Sequence, residues 1–304
     1  MSEQIRPPFS GEPGAWAVDA PAKLNLFLEV LGRRPDGYHE LETVMVAVDW
    51  ADRLTFRRTH EAGVRLRCTD ASLPTDERNL VVRAARRLLD GRSVSGGVAI
   101  ELDKQLPHGA GMGGGSSDAA ATLRAINGLF GLGLGPDELA AAAAELGSDV
   151  PFFLTGGGAV CRGRGEIREP FPAPVGWAFV VVAPEFALST AEVYRSLRPG
   201  DGSPSRAGGS ADVVRALADR DPDALGRALF NRLEEPALRL APRLAGIRAA
   251  IRQAGALAAL MTGSGSAVFG VCRDREHAEN VAETLRSQTG VGRVRIVHTL
   301  PVGT

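Results

Sequence analysis

The chain has 304 residues, 44% of them hydrophobic and 23% charged, values of an ordinary globular protein with room for a sizeable core and two domains. A formal net charge of -1 supplies no global field toward nucleic acid or a membrane surface, so any affinity for phosphate is local. Cys68, Cys161 and Cys272 stand far apart and give neither a metal-ligand spacing nor a disulfide framework, which suits a reducing cytoplasm, and no apolar run reaches the length of a membrane span.

Residues 1–14 are polar and rich in Pro and Gly, with no apolar stretch of a signal peptide; they read as a disordered extension. Residues 16–31 alternate as a strand, with Ala22, Leu24, Leu26, Leu28 and Val30 on one face and Lys23, Asn25, Phe27 and Glu29 on the other. Pro35-Asp36-Gly37 predicts a turn that carries Tyr38 and His39. Residues 44–48, 54–57 and 64–68 read as further strands. A helix is expected from about residue 76 through Leu89, closed near Gly91, and a strand over 98–102. Ala119, Leu123, Ile126 and Phe130 set an amphipathic helix, and Pro136 with Asp137 and Glu138 opens another that ends before Gly147. Strands follow at 159–161 and 179–183, a Gly/Ser/Pro-rich surface loop at 199–210, and helices at about 210–219, 222–232 and 242–254. A strand over 267–272, a helix over 275–288 and a strand over 294–298 close the chain. The Gly- and Pro-rich stretch at 163–175 marks a domain boundary, giving 15–165 and 166–304 as the two halves of an α+β protein.

The chemistry concentrates in residues 107–120, where five of fourteen residues are Gly and two Ser and an alanine-rich helix follow at once. Glycines let backbone N–H groups lie against a ligand, and a helix N-terminus adds a positive dipole end, so the segment predicts an anion cradle, most often for phosphate. Gly109, Gly111 and Gly114 formally satisfy the dinucleotide pattern G-x-G-x-x-G, but several strands precede it and six residues part it from the nearest one. The Walker pattern fails because no Lys-Ser or Lys-Thr pair ends the loop. Of the 35 basic residues only Lys23 and Lys104 are lysines, which singles both out as places where a compact ammonium is needed. Asp149, flanked by Val150, Pro151, Phe152 and Phe153, is expected to be half-buried and therefore to need a partner or carry a raised pKa. A cradle, a cation and a base are the main requirements of phosphoryl transfer. Residues 262–266 form a second glycine/hydroxyl loop.

Taken together, the strand with Lys23, the loop at 107–120 and the loop at 262–266 resemble the GHMP family of small-molecule kinases, over nearly the full chain from about residue 16 to 298. Segments 21–28, 34–41, 78–85 and 146–152 resemble the branch whose acceptor is a cytidine diphosphate-linked methylerythritol. The resemblance implies a two-domain GHMP kinase fold, with a ribosomal protein S5 domain 2-like N-terminal domain that binds ATP and a ferredoxin-like C-terminal domain on the substrate side. It implies ATP and Mg²⁺ as cofactors and an active site in the cleft between the domains. By position Asp149 would take the hydroxyl proton, and Lys23 would orient Asp149 and stabilise developing negative charge. Asn25 would hold substrate, Tyr38 would stack on cytosine, His39 would hydrogen-bond its edge, and Phe186 would be a second stacking partner. Pro107, His108, Gly109, Ala110, Gly111, Met112, Gly113, Gly114, Gly115, Ser116 and Ser117 would embrace the ATP phosphates, with both serines near Mg²⁺. Asn79 would lie near the adenine and Lys104 near the nucleotide. No carboxylate is assigned to the metal. The implied protein is a cytoplasmic enzyme with a small-molecule partner, no nucleic acid and no membrane. Three other readings remain open: a GHMP kinase acting on mevalonate or homoserine, a dinucleotide-binding oxidoreductase, and a nucleic-acid-binding module.

Overall fold

The computed structural model describes residues 15–92, 94–198, 208–288 and 290–302. The extension expected over 1–14 lies outside these residues, as does 199–207 of the expected loop. In chain order the elements begin with β1 (Ala15–Arg33), β2 (His39–Thr59), β3 (Gly63–Cys68), α1 (Leu80–Leu89), β4 (Gly97–Asp103), α2 (Gly114–Leu129), α3 (Pro136–Leu146) and α4 (Val150–Thr155). They continue with β5 (Gly158–Gly163), β6 (Ile167–Phe171), β7 (Ala178–Ala183), α5 (Thr190–Arg195), α6 (Gly209–Ala218), α7 (Pro222–Ala228) and β8 (Phe230–Asn231). The last are α8 (Glu234–Leu240), α9 (Arg243–Gln253), β9 (Ala258–Met261), β10 (Val268–Val271), α10 (Arg275–Arg286) and β11 (Arg293–His298).

Two compact units emerge. One holds residues 15–21, Trp50–Leu106 and Gly114–Leu154; the other holds Ala22–Asp49, Pro107–Gly113 and the chain from Thr155 on. In the first, β4 pairs in parallel with β3 and antiparallel with residues 53–59 of β2. Helix α1 packs on α2, α3 and β3 through Val81, Val82, Ala85 and Leu88, the apolar stripe of an amphipathic helix. In the second, β5 pairs antiparallel with residues 41–46 of β2 and with β6, while β8 lies parallel to β1 through Phe27 and Phe230. A separate antiparallel sheet runs β11-β7-β10-β9. Its strand β7 is fully buried, as the unbroken run Ala-Phe-Val-Val-Val-Ala demands, and Val180 and Val182 share a core with Ile251 of α9 and Leu285 of α10.

Several elements depart from the sequence reading. The strands expected at 44–48 and 54–57 are one 21-residue strand, β2, because nothing between them is Gly or Pro to turn the chain. The helix expected over 222–232 stops at Ala228, and the next residues form β8. Strands β6 and β9 and the short helices α5 and α8 were not foreseen; each is seven residues or fewer, too short for periodicity to declare itself. The alternation of β1 predicted one polar face, yet residues 20–29 are buried on both faces. Lys23, Asn25 and Glu29 therefore sit inside the protein.

Candidate active site

A buried ammonium survives only where it is paired and hydrogen-bonded. Lys23 is 3% exposed, and its Nζ donates to the Gly111 carbonyl at 2.6 Å and to Asn25 Oδ1. Asn25, spaced by the period of the strand, is held on three sides. Its backbone N–H donates to Thr262 Oγ1 at 3.0 Å, its Nδ2 donates to Thr43 Oγ1 at 2.8 Å, and Thr43 Oγ1 in turn donates to the Phe27 carbonyl at 2.6 Å. The rotamers of both side chains on this face of β1 are thus fixed by neighbours. Thr43 was not foreseen; it is one more polar side chain on a strand that reads as apolar.

The first half of the glycine loop and the 262–266 loop build against each other and against β1. Lys23 N–H donates to the Met112 carbonyl at 3.0 Å, and Ala267 N–H donates to the Ala110 carbonyl at 3.1 Å. With Lys23 Nζ on Gly111, three successive loop carbonyls are engaged inside the protein, and donors are what the loop has to offer a phosphate. Gly111 has φ +73, and a Cβ there would stand 2.2 Å from the Thr262 carbonyl oxygen. Only glycine allows that approach. A Cβ on Gly263 would likewise meet the Gly111 carbonyl at 2.8 Å and Lys23 Nζ at 3.0 Å. The second loop is the wall on which the first is shaped. Its own path is set by Asn231, whose Nδ2 donates to the Met261 and Gly263 carbonyls at 2.7 and 2.8 Å while its Oδ1 accepts Leu233 N–H at 2.9 Å. Asn231 was missed because its surroundings read as helix.

The turn after β1 places Tyr38 outward, while His39, the first residue of β2, is half-buried. Tyr38 is 56% exposed, and the Arg164 guanidinium lies over its ring, 4.8 Å from the centroid. His39 pairs with the Tyr194 ring at 5.0 Å between centroids. Burial holds the His39 pKa below its ordinary value, with the Arg33 charge acting in the same direction, so the imidazole stays neutral through neutral pH. Neutral, it can donate and accept at once. Arg164 and Tyr194 carried no signal in the sequence. Phe186 is half-buried; Arg243 stacks on its ring at 3.8 Å, and its carbonyl accepts from Ser266 Oγ. Pro107 is half-buried and His108 exposed.

In the other unit, α2 starts at Gly114, so Gly114, Gly115 and Ser116 form its first turn. A helix N-terminus presents N–H donors and a positive dipole end to an anion. Ser117 Oγ is buried and has no hydrogen-bond partner among the described residues. Asn79 is the N-cap of α1: its Oδ1 accepts Val81 N–H at 2.9 Å and its Nδ2 donates to the Pro74 carbonyl at 2.8 Å. Asp149 is half-buried in the turn before α4, as expected from its apolar flanks. Lys104 has partners that the sequence did not disclose. Its ammonium lies between Asp118 Oδ2, at 2.9 Å, and Asp52 Oδ2, and all three side chains are buried. Burial pulls the Lys104 pKa down, but the two carboxylates outweigh it and the net shift is upward. Burial raises Asp118 to about 7 against the pull of Lys104. Among the described residues no group of three or more His, Cys, Asp or Glu side chains could hold a metal ion.

One unit holds a glycine loop with a buried ammonium hydrogen-bonded to it, and the other holds a helix N-terminus and a half-buried carboxylate, residue types that phosphoryl transfer calls for. Residues 79–157 match the GHMP kinases N terminal domain, and residues 213–291 match the GHMP kinases C terminal family. The chain is 46% identical over 268 residues to the 4-diphosphocytidyl-2-C-methyl-D-erythritol kinase of Pelotomaculum thermopropionicum, covering 88% of this chain and 92% of that one. It is 40% identical over 285 residues to the same-named enzyme of Shouchella clausii, covering 93% and 95%. A crystal structure of 4-(cytidine 5'-diphospho)-2C-methyl-D-erythritol kinase superposes with a TM-score of 0.79 at 39% identity, covering 93% of this chain and 98% of the other. A homoserine kinase from Cytophaga hutchinsonii shares the fold, with a TM-score of 0.75 at 24% identity. The chain belongs to the GHMP kinase family, whose phosphate donor is ATP.

Proposed function

We propose that this chain transfers the γ-phosphate of ATP to the 2-hydroxyl of 4-diphosphocytidyl-2-C-methyl-D-erythritol, giving the 2-phosphate and ADP, in the non-mevalonate route to isoprenoids. The observation that carries the acceptor is 40–46% identity, over nearly the whole chain, to enzymes named for this substrate. The buried Lys23–Asn25 pair backed by the glycine loop supports the reaction type.

Asp149 accepts the proton of the 2-hydroxyl as its oxygen attacks the γ-phosphorus. The bond from that phosphorus to the bridging oxygen breaks, and ADP leaves with the electron pair. Lys23 offsets the negative charge that grows on the transferred group, and its fixed rotamer means that little reorganisation is needed. Residues 107–117 embrace the phosphates. Asn79 and Lys104 belong to the same nucleotide side. Asn25 holds the acceptor; Tyr38 and Phe186 stack on its cytosine, and a neutral His39 reads the base edge. Residues 15–165 bind the nucleotide and also bring Asn25, Tyr38 and His39 to the acceptor, while 166–304 lie on the substrate side and supply Phe186.

Oxygen donors suit Mg²⁺. The unpartnered hydroxyl of buried Ser117 and the half-buried Ser116 fit such an ion, and they are the residues that would hold it. Bound there, it would neutralise phosphate charge. The enzyme works in the cytoplasm on a small molecule, without nucleic acid or membrane; among the described residues no helix is long and apolar enough to cross a bilayer.

The test is ADP release with each candidate alcohol. Turnover with the cytidine diphosphate-linked acceptor, and little with mevalonate or homoserine, is expected. A preference for mevalonate or homoserine overturns the assignment.

A further inference from the structure

The Lys104 side chain is committed to two buried carboxylates on different elements. Asp118 stands on the first two turns of α2, the helix whose N-terminus ends the glycine loop. Asp52 stands on β2, and its second oxygen is not idle: Oδ1 accepts the backbone N–H groups of Gln105 and Leu106 at 2.6 and 2.8 Å. These are the residues that lead into the loop. Lys104 is therefore the bridge between the chain approaching the loop and the helix leaving it.

Space explains why a lysine stands here in a chain that, Lys23 apart, writes its other Lys/Arg positions as arginine. A Cβ on Gly114, the first residue of α2, would lie 3.3 Å from Lys104 Nζ. A guanidinium is planar and wider than an ammonium and does not enter such a corner between two carboxylates. Asp118 Oδ1 has no hydrogen-bond partner among the described residues, and the carboxylate is held through its other oxygen by Lys104, with the Asp52 side chain beside it. A buried network of this kind is weak evidence for stability and better evidence for a fixed arrangement.

We propose that Lys104 is a positioning residue: through Asp52 and Asp118 it holds the two ends of the glycine loop in register, and thereby sets the affinity for ATP without touching the nucleotide. This deepens the kinase reading above and rests on it. It assigns Lys104, Asp52 and Asp118 one joint task, in which the loss of any member loosens the same loop.

A double-mutant cycle tests it. Asp118→Asn, Lys104→Gln and the double variant are compared for binding of the β,γ-imido analogue of ATP with Mg²⁺ by calorimetry, and for KM of ATP and of the acceptor. Lys104→Gln strands two buried carboxylates, so Asp118→Asn, which keeps the Lys104–Asp52 pair, guards against a result that reflects unfolding alone. The expected outcome is a loss of about tenfold in nucleotide affinity in Asp118→Asn, with the acceptor KM unchanged, and a loss in the double variant well short of the product of the single losses. Wild-type nucleotide affinity in Asp118→Asn overturns the proposal. So do fully multiplicative losses, which mean that Lys104 meets the nucleotide itself. A purely structural network would lower Tm while leaving both KM values alone, and that outcome also refutes it. Calorimetry needs no acceptor, so a wrong acceptor assignment leaves this result standing and is recognised separately by the turnover assay.

Discussion

Gly111→Ala puts the account of the glycine loop under direct strain. The added Cβ would stand 2.2 Å from the Thr262 carbonyl oxygen and 2.9 Å from the Gly265 nitrogen, both backbone atoms that cannot swing aside. Overpacking of this kind costs about 1–3 kcal/mol. The residue's φ of +73 adds the penalty for a left-handed L-residue, about 1–2 kcal/mol. Together they lower the melting temperature by roughly 5–15 °C. The Gly111 carbonyl also holds Lys23 Nζ at 2.6 Å, so a displaced loop carries the ammonium with it. Turnover falls by about a hundredfold if the shift reaches an ångström. Gly115→Ala is the control for stability alone, since Gly115 belongs to the phosphate-embracing segment: its Cβ would meet only Leu80 Cδ1, at 3.8 Å, in the first turn of α2. There alanine stabilises by about 0.5–1 kcal/mol. Differential scanning fluorimetry and a coupled ADP assay read both variants. A Gly111→Ala protein with wild-type Tm and wild-type turnover would refute the packing of the two loops described here.

Asp149→Asn and Lys23→Met are expected to lower kcat by about 10²–10⁴-fold, with nucleotide affinity measured by calorimetry kept within about threefold; near-wild-type turnover of the Asp149 variant removes it as the base. His39 should titrate below its ordinary value of 6.5 in an NMR pH series, and a value at or above that excludes the neutral imidazole. The sign for stability follows: a depressed folded-state pKa contributes stability above 6.5 that is lost as pH falls through the folded value, and His39→Gln should flatten the melting temperature across that window. Burial raises the Cys272 thiol to about 12 and also raises that of the half-buried Cys68. Iodoacetamide should therefore label native protein slowly at Cys68 and leave Cys272 intact until it unfolds, as peptide mapping would show.

Much of the candidate site is legible in the sequence because its residues lie in short local stretches. The glycine loop, Lys23 with Asn25 two residues on, and the Asp-Gly-Tyr-His turn each lie within a short stretch, and strand period alone puts Lys23 and Asn25 on one face. What escaped the sequence is what only folding brings together. Thr43, Thr262 and Asn231 lie far apart in sequence, yet Thr43 and Thr262 hydrogen-bond Asn25 directly and Asn231 shapes the loop that carries Thr262. Asp52 reads as one more acid in a polar stretch of β2, and its burial beneath Lys104 has no local signature. Lys104 stands out by scarcity, which marks the position but says nothing of its partners. Long elements such as α2 and α10 declared themselves by period, whereas β8, two residues long, exists only because β1 is there to pair with it.

The most direct test of the central claim is the product itself. Purified protein, ATP, Mg²⁺ and 4-diphosphocytidyl-2-C-methyl-D-erythritol are incubated and followed by phosphorus NMR, with mevalonate and homoserine in parallel. The account predicts ADP and a new phosphomonoester on the 2-oxygen of the methylerythritol unit, formed only with the cytidine diphosphate-linked acceptor. Phosphorylation at another hydroxyl, or faster turnover of mevalonate or homoserine, would contradict it.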